Sequence, residues 1–112
     1  MIFKAFDLVT VPFSFTDRDA TKRRPTLVIS NAQFNQQYDQ FVLVMITTVT
    51  DKVWPSDVSL TNWQEIGLKV ACHVRLKFFT LYQNLVLKIV GHLTSNDVKS
   101  AQAIFAKFVD VN

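Results

Sequence analysis

The chain has 112 residues, of which 49% are hydrophobic, and carries a formal net charge of +3. It contains only two glycines and three prolines, a composition that excludes a disordered or linker-rich protein. A chain of this length buries roughly 60 to 70% of its unfolded surface, and no repeat or linker divides it, so we expect one folded domain over residues 1–112.

The first third of the chain predicts two strands and little helix. Residues 7–13 are rich in β-branched and aromatic side chains and predict a strand, which Pro12 places towards a sheet edge or a bulge. Residues 14–24 are polar and charged and predict a loop. A second short strand is predicted over residues 26–30, whereas residues 31–40 show no clear period and leave a loop or a weak helix open.

The middle of the chain predicts the centre of a sheet. Residues 41–48 are apolar on both alternating faces, which is typical of a central strand buried on both sides. Residues 57–60 predict another short strand, and residues 62–66 predict one helical turn that Gly67 ends.

Residues 69–77 alternate more cleanly than any other segment and predict a strand with two different faces. The apolar face consists of Val70, Cys72, Val74 and Leu76. The other face consists of Lys69, Ala71, His73, Arg75 and Lys77. We expect the second face to be exposed.

The last third predicts one more strand and an amphipathic helix. The strand spans residues 85–90 and is closed by Gly91. Residues 94–97, Thr-Ser-Asn-Asp, have the form of a capping box, and apolar residues follow at helical spacing. Five or six short strands with one C-terminal helix predict a mainly β fold, a small, strongly bent antiparallel sheet or barrel on which the helix packs.

The cysteine content and the N-terminal sequence indicate a cytoplasmic protein. Cys72 is the single cysteine, so no intramolecular disulfide forms, which favours a reducing compartment. Asp7 and Pro12 interrupt the apolar N-terminus and no small-residue cleavage site follows, so no secretory signal peptide is predicted. No apolar run approaches the roughly 20 residues that span a bilayer, and we expect no membrane contact.

Two groups of basic residues favour a polyanionic partner, with solvated surface charge as the alternative. Arg75 and Lys77 lie one pleat repeat apart, about 6.6 Å along a strand, a spacing similar to that of successive charges on an extended nucleic acid. His73 on the same face is a candidate proton acceptor or donor near neutral pH. The two groups are Arg18, Lys22, Arg23 and Arg24 in the first loop and Lys69, Arg75 and Lys77 in the alternating strand.

Two further side chains are candidates for a phosphate site. Arg24 precedes Pro25, which favours an extended backbone from which the guanidinium can bind a phosphate with two hydrogen bonds; a solvated turn arginine is the alternative. Thr47 at the end of the central strand offers a hydroxyl that can donate to a phosphate oxygen; a purely structural role is the alternative. Cys72 is interpreted as a core residue. Two histidines and one cysteine give no metal-ligand spacing, so no metal or other cofactor is expected.

Several short motifs, spread over nearly the whole chain, carry a family resemblance. They begin with residues 11–17 (VPFSFTD) and 22–30 (KRRPTLVIS). They continue with MITT at 45–48, LTNW at 60–63, GL at 67–68, VR at 74–75, FFTL at 78–81 and GHLT at 91–94. In this order they resemble the MazF/PemK-like (Kid-like) toxins of bacterial type II toxin-antitoxin systems.

The resemblance implies an SH3-like barrel of the MazF/PemK/CcdB type, a homodimer, and a sequence-selective endoribonuclease. Such an enzyme cleaves single-stranded mRNA without a metal, inhibits translation and growth, and is blocked by an acidic antitoxin. Arg24 maps onto the family's catalytic arginine and Thr47 onto its phosphate-contacting threonine, and we expect Arg75 to share the phosphorane with Arg24. The further RNA contacts that we expect are Asp17, Arg18, Lys22, Arg23 and Lys77.

Lys77 departs from the family's pattern, because some relatives carry an aspartate there that is proposed as the general base. The proton acceptor therefore stays open between His73, Asp17 and Asp19. Metal-free cleavage predicts a 2′,3′-cyclic phosphate and a 5′-hydroxyl end. The departure also keeps a rival hypothesis open, namely a MazF-like fold without catalysis or a CcdB-like poison that acts on a protein such as gyrase.

Overall fold

The structure, a computed structural model, describes residues 3–12, 22–49 and 52–110. The strands are β1 (Asp7–Pro12), β2 (Arg23–Val28), β3 (Gln40–Thr48), β4 (Val58–Ser59), β5 (Cys72–Tyr82) and β6 (Lys88–His92). The helices are α1 (Ala32–Tyr38) and α2 (Ser95–Phe108), and a 3-10 turn spans Gln83–Leu85. No helix in these ranges is long and apolar enough to cross a membrane.

All six strands join one antiparallel sheet in the order β4-β5-β3-β2-β1-β6, which curves into a half-barrel. β3 lies inside the sheet and sends Val44 and Ile46 into one hydrophobic core and Phe41 and Leu43 into another. The predicted central strand, buried on both faces, is confirmed. So is the mainly β fold with a C-terminal helix, because α2 packs on the first core.

The N-terminus of α2 is capped, although not by a complete capping box. The Thr94 hydroxyl accepts a hydrogen bond from the amide of Asp97 at 3.4 Å. The Asp97 carboxylate accepts from the amide of Thr61 at 3.2 Å and from its hydroxyl at 2.8 Å. Asp97 is 1% exposed, so it joins α2 to the turn at residues 61–67.

This turn confirms the predicted helical turn with a glycine stop. The amide of Ile66 donates to the carbonyl of Asn62, and the amide of Leu68 donates back to Trp63 at 2.9 Å. Gly67 has a φ of +99°, a left-handed conformation that favours glycine and ends a helix in the Schellman manner.

Several predicted boundaries were wrong. β2 begins at Arg23, inside the predicted loop, because Arg23 and Arg24 pair with β1 opposite Pro12 and Val11. The uncertain segment after β2 forms α1, whose first turn is capped by the Asn31 side chain.

The later strands also differ from their predicted ranges. β5 starts at Cys72 and continues to Tyr82, and β6 starts at Lys88 and includes Gly91. At Gly91 a Cβ atom would lie 2.5 Å from the carbonyl oxygen of Ile66. A glycine therefore lets β6 pass close to the turn at residues 61–67.

Candidate functional site

A cleft of about 640 Å³ opens between the start of β2, the end of β3, the turn at residues 67–70 and β6. Five basic side chains and three threonines line it, and its lining contains no acidic residue in the part of the chain that the structure describes. The basic residues are Lys22, Arg23, Arg24, Lys69 and Lys88, and the threonines are Thr10, Thr47 and Thr48. The positive charge of such a surface attracts polyanions.

Strand pairing brings the predicted phosphate ligands to this cleft. Thr26 lies opposite Met45 in the β2–β3 ladder, so Arg24, two residues before Thr26, is at the same end of the sheet as Thr47. Arg24 is partly buried and Arg23 is exposed. The sequence analysis therefore named four of the five basic lining residues, Lys22, Arg23, Arg24 and Lys69, and the threonine at the end of β3.

The hydroxyl of Thr47 has an unusual environment. Thr47 is 8% exposed, and its Oγ1 atom has no hydrogen-bond partner among the described residues. Buried polar atoms are paired in the large majority of cases, because an unpaired one costs about 1–3 kcal/mol. An unpaired hydroxyl in the lining of a basic cleft is a ready donor for an oxygen of a bound anion.

Cys72 also lines the cleft but does not resemble a nucleophile. It is 5% exposed and belongs to the core beneath α2. Its Sγ atom lies 3.3 Å from the carbonyl of Val70. Burial raises the pKa of the thiol, which keeps it protonated. These contacts agree with the interpretation of Cys72 as a core residue.

His73 and Arg75 form a second, buried cluster around Asp57. Arg75 Nε donates to Asp57 Oδ1 at 3.1 Å and Arg75 Nη2 to Oδ2 at 2.9 Å. His73 Nε2 lies 3.1 Å from the same Oδ2 atom. His73 is 2% exposed and Arg75 7%, so the prediction of an exposed polar face was wrong. Neither residue lines the cleft.

Residues 52–57 cover this face of β5. The backbone amide of Trp54 donates to Asp57 Oδ2 at 2.8 Å, and Arg75 Nη2 donates to the carbonyl of Lys52. The Arg75 guanidinium carbon lies 4.5 Å from the centre of the Trp54 ring, and Lys77 Nζ lies 5.4 Å from it. Residues 52–57 therefore cover a face that the alternating pattern predicted to be exposed to solvent.

The charge state of Asp57 follows from these contacts. Burial acts to raise its pKa, but the hydrogen bond from Arg75, the one from the Trp54 amide, and the charges of His73 and Arg75 outweigh it. The pKa of Asp57 therefore lies below the ordinary aspartate value. The carboxylate is ionised at neutral pH and pairs with the arginine.

A bulge separates Arg75 from Lys77. Met45 pairs with Arg75, but the next residue of β3, Val44, pairs with Phe78. The regular pleat on which the predicted spacing of Arg75 and Lys77 depended is interrupted here. Lys77 is exposed and is not part of the cleft lining.

Three predicted residues, Asp17, Arg18 and Asp19, lie outside the described residues. Within those residues, no group of three or more histidine, cysteine or acidic side chains is placed to hold a metal ion. Sequence reasoning missed Asp57 and Trp54 as partners of the strand. The available signal was an acid in a Trp-Pro-Ser-Asp turn shortly before a strand that alternates histidine and arginine.

Comparisons with known proteins agree with this fold. Residues 4–109 match the family model of the PemK-like, MazF-like toxins of type II toxin-antitoxin systems. No curated protein sequence matches the chain.

Solved structures with the same fold share little sequence identity with this chain. An endoribonuclease in complex with its cognate antitoxin from a mycobacterial species is 16% identical, with a TM-score of 0.77 over 99% of this chain and 96% of its own. A MazE-MazF structure from Deinococcus radiodurans is 18% identical, with a TM-score of 0.77 over 100% of both chains. The Mycobacterium tuberculosis toxin MazF-mt6 is 15% identical, with a TM-score of 0.74 over 95% of this chain and 98% of its own.

Proposed function

Because the chain belongs to the PemK-like, MazF-like toxins of type II toxin-antitoxin systems, we propose that it is an endoribonuclease that cleaves single-stranded RNA and is inhibited by a cognate antitoxin. The observation that carries this proposal is the unpaired, buried hydroxyl of Thr47 in a cleft lined by five basic side chains. Cleavage of mRNA in the cytoplasm would stop translation and growth.

The proposed reaction is an internal transfer at phosphorus. The RNA 2′-oxygen forms a bond to phosphorus while the bond to the 5′-oxygen breaks, which leaves a 2′,3′-cyclic phosphate and a 5′-hydroxyl. A base accepts the 2′-hydroxyl proton, and an acid returns a proton to the 5′-oxygen. Negative charge grows on the non-bridging oxygens, where the Arg24 guanidinium and the Thr47 hydroxyl stabilise it. These groups and the other cations of the cleft supply the stabilisation, so the proposal needs no metal.

The proton acceptor is one of three candidates, His73, Asp17 and Asp19. His73 lies opposite Thr47 in the β3–β5 ladder but is buried and outside the cleft lining. Single-turnover cleavage by His73→Gln, Asp17→Asn and Asp19→Asn separates them, because loss of the acceptor lowers the rate of the chemical step about 10² to 10⁴-fold.

The decisive test compares Arg24→Ala with Arg23→Ala as a matched loss of charge in the same cleft. Removal of one transition-state donor lowers the rate about 10² to 10³-fold, or roughly 2.7 to 4 kcal/mol. We expect Arg24→Ala to lose that much in single-turnover cleavage of a long RNA with EDTA present, and Arg23→Ala much less. Thermal melting verifies that both variants are folded.

Two outcomes contradict the proposal. If both arginine variants lose activity equally, Arg24 is only part of an electrostatic surface. If the wild-type protein leaves the RNA intact, the protein lacks the proposed cleavage activity, and the rival hypothesis of a CcdB-like poison of a protein target takes its place. Sequencing of the cleaved ends verifies the cyclic phosphate and identifies the preferred RNA word.

We also propose that the chain forms a homodimer and that an acidic, disordered antitoxin segment binds across the cleft. Exposed apolar side chains, among them Phe78 at 48% and Tyr82 at 57%, support association of two copies. Light scattering at micromolar concentration measures the mass, and a monomer contradicts the dimer. The basic cleft supports the acidic partner, because the segment can occupy the positions of RNA phosphates.

A further inference from the structure

Thr47 is unpaired although two side chains rich in hydrogen-bonding groups lie beside it. His73 is directly opposite Thr47 in the β3–β5 ladder, and Arg75 is opposite Met45, two residues along. Side chains of opposed residues lie on the same face with Cβ atoms about 4.5–5.5 Å apart, and diagonal neighbours are within reach of long side chains. The missing hydrogen bond to Thr47 therefore requires an explanation.

Asp57 supplies that explanation, because it holds both neighbours. Its Oδ2 atom lies 2.9 Å from Arg75 Nη2 and 3.1 Å from His73 Nε2, and its Oδ1 atom accepts from Arg75 Nε at 3.1 Å. The Lys52 carbonyl accepts a further hydrogen bond from Arg75, and the Trp54 ring covers the guanidinium. The groups that would reach Thr47 are directed towards residues 52–57.

The same cluster also holds the ring of His73. His73 Nε2 lies 3.1 Å from Asp57 Oδ2, the oxygen that accepts from Arg75 Nη2. Arg75 Nη2 lies 3.3 Å from the same Nε2 atom, at hydrogen-bond distance, and the donor and acceptor roles in that contact depend on the tautomer of His73. The ring is thus fixed in orientation by Asp57.

We propose that Asp57 is a positioning residue for Thr47: by holding His73 and Arg75, it leaves the Thr47 hydroxyl unpaired and directed to an oxygen of the bound phosphate. Asp57 is absent from the cleft lining, so it acts through its two partners. If His73 or Arg75 were released, either would bond to Thr47 Oγ1 and turn the hydroxyl towards β5. The bound phosphate in this inference rests on the proposed function, whereas the contacts of Asp57 with His73 and Arg75 do not depend on it.

The substitution Asp57→Asn removes one acceptor and changes little in volume. The amide retains a single oxygen where the carboxylate accepts from the Trp54 amide and Arg75 and lies 3.1 Å from His73 Nε2. We expect the single-turnover rate to fall about 10- to 100-fold, the loss that follows when a group that orients the ligands of a metal ion is removed. RNA affinity should change little.

The background variant Thr47→Val shows whether Asp57 acts through Thr47. In that background, Asp57→Asn should cause no further loss of rate, since coupled residues are non-additive. Asn35→Asp is the control for a damaged buried network, because Asn35 is fully buried and its Nδ2 donates to the carbonyl of Phe3 at 2.7 Å, away from the cleft. It should lower the melting temperature and leave the rate unchanged.

The hold of Asp57 on the His73 ring is tested without reference to activity, by nitrogen-proton correlation spectra of the imidazole in a His92→Asn background, where His73 is the only histidine. We expect the ring signals of His73 to shift on Asp57→Asn. Unchanged ring signals overturn the inference, as does an equal loss of rate from Asp57→Asn with and without Thr47, or an unchanged rate. If wild-type protein cleaves no RNA, the proposed function fails and the spectra alone decide the positioning claim.

Discussion

Replacement of Arg75 by alanine should test whether its main role is to hold the fold. The side chains of Arg75 and Asp57 are 8% and 3% exposed and share two hydrogen bonds, at 3.1 and 2.9 Å. The guanidinium also donates to the Lys52 carbonyl and covers the Trp54 ring. Arg75→Ala breaks all of these contacts and leaves a buried carboxylate without its cation.

Loss of one partner of a buried ion pair costs about 3–5 kcal/mol. Lys77→Ala is the matched control, because Lys77 is exposed and a surface substitution changes the free energy of unfolding by no more than about 0.5 kcal/mol. Each kcal/mol lowers the melting temperature of a domain of this size by roughly 4 °C. We therefore expect Arg75→Ala to melt about 12–20 °C below the wild type.

Urea denaturation followed by circular dichroism measures the free energy directly. The double variant Asp57→Leu/Arg75→Met removes both charges and should recover most of the loss, because the cost arises from the unpaired carboxylate. If Arg75→Ala destabilises the protein no more than Lys77→Ala, the ion pair does not hold residues 52–57 on β5 and the reasoning fails.

Three further predictions concern pH, backbone space and the antitoxin. The pKa of Asp57 is lowered in the fold, so its contribution to the free energy of unfolding is complete above the pKa of the unfolded chain, near 3.9. That contribution is lost as the pH falls through the pKa of the folded protein. Below about pH 5, the unfolding free energy of the wild type should therefore decrease more steeply than that of Asp57→Asn. Gly91→Ala places a Cβ atom 2.5 Å from the Ile66 carbonyl oxygen and should cost about 1–3 kcal/mol in thermal melting; an unchanged melting temperature contradicts the close approach. Lys22→Glu in the cleft and Lys77→Glu beside Trp54 should both weaken antitoxin binding at low salt, and an unchanged affinity for Lys77→Glu limits the antitoxin to the cleft.

The sequence predicted the architecture well because periodic patterns report directly on burial. The apolar run of β3 identified the centre of the sheet, and the spacing after Thr94 identified α2. Strand ends were less predictable, since they depend on partners. Arg23 and Arg24 belong to β2 only because β1 pairs with them, and a polar pair before a proline gives no local sign of that partner.

The sequence predicted only part of the candidate site, because the rest depends on which distant strands lie together. Arg24 and Thr47 were identified from motifs, and the fold places both in one cleft. Lys88 and Thr10 were missed, because they come from β6 and β1 and reach the cleft only through the curvature of the sheet. Local sequence carries no information on which distant strands meet at one end of a half-barrel.

His73 and Arg75 show where a correct pattern led to a wrong conclusion. The alternation placed them on the opposite face from Cys72 and Val74, and the structure has that arrangement. A period of two separates the faces of a strand but does not say what covers either face. Here Trp54 covers one of them.

Asp57 makes that cover stable, because a buried arginine and histidine require an acceptor. The turn that carries Asp57 is closed by the hydrogen bond from its own amide to the Trp54 carbonyl at 3.0 Å. The turn therefore delivers the acid and the ring to β5 together. A strand with alternating basic and apolar residues can thus have a second core face when a nearby turn contains both an acid and an aromatic residue. In this protein, that second face borders the threonine that we propose binds the phosphate.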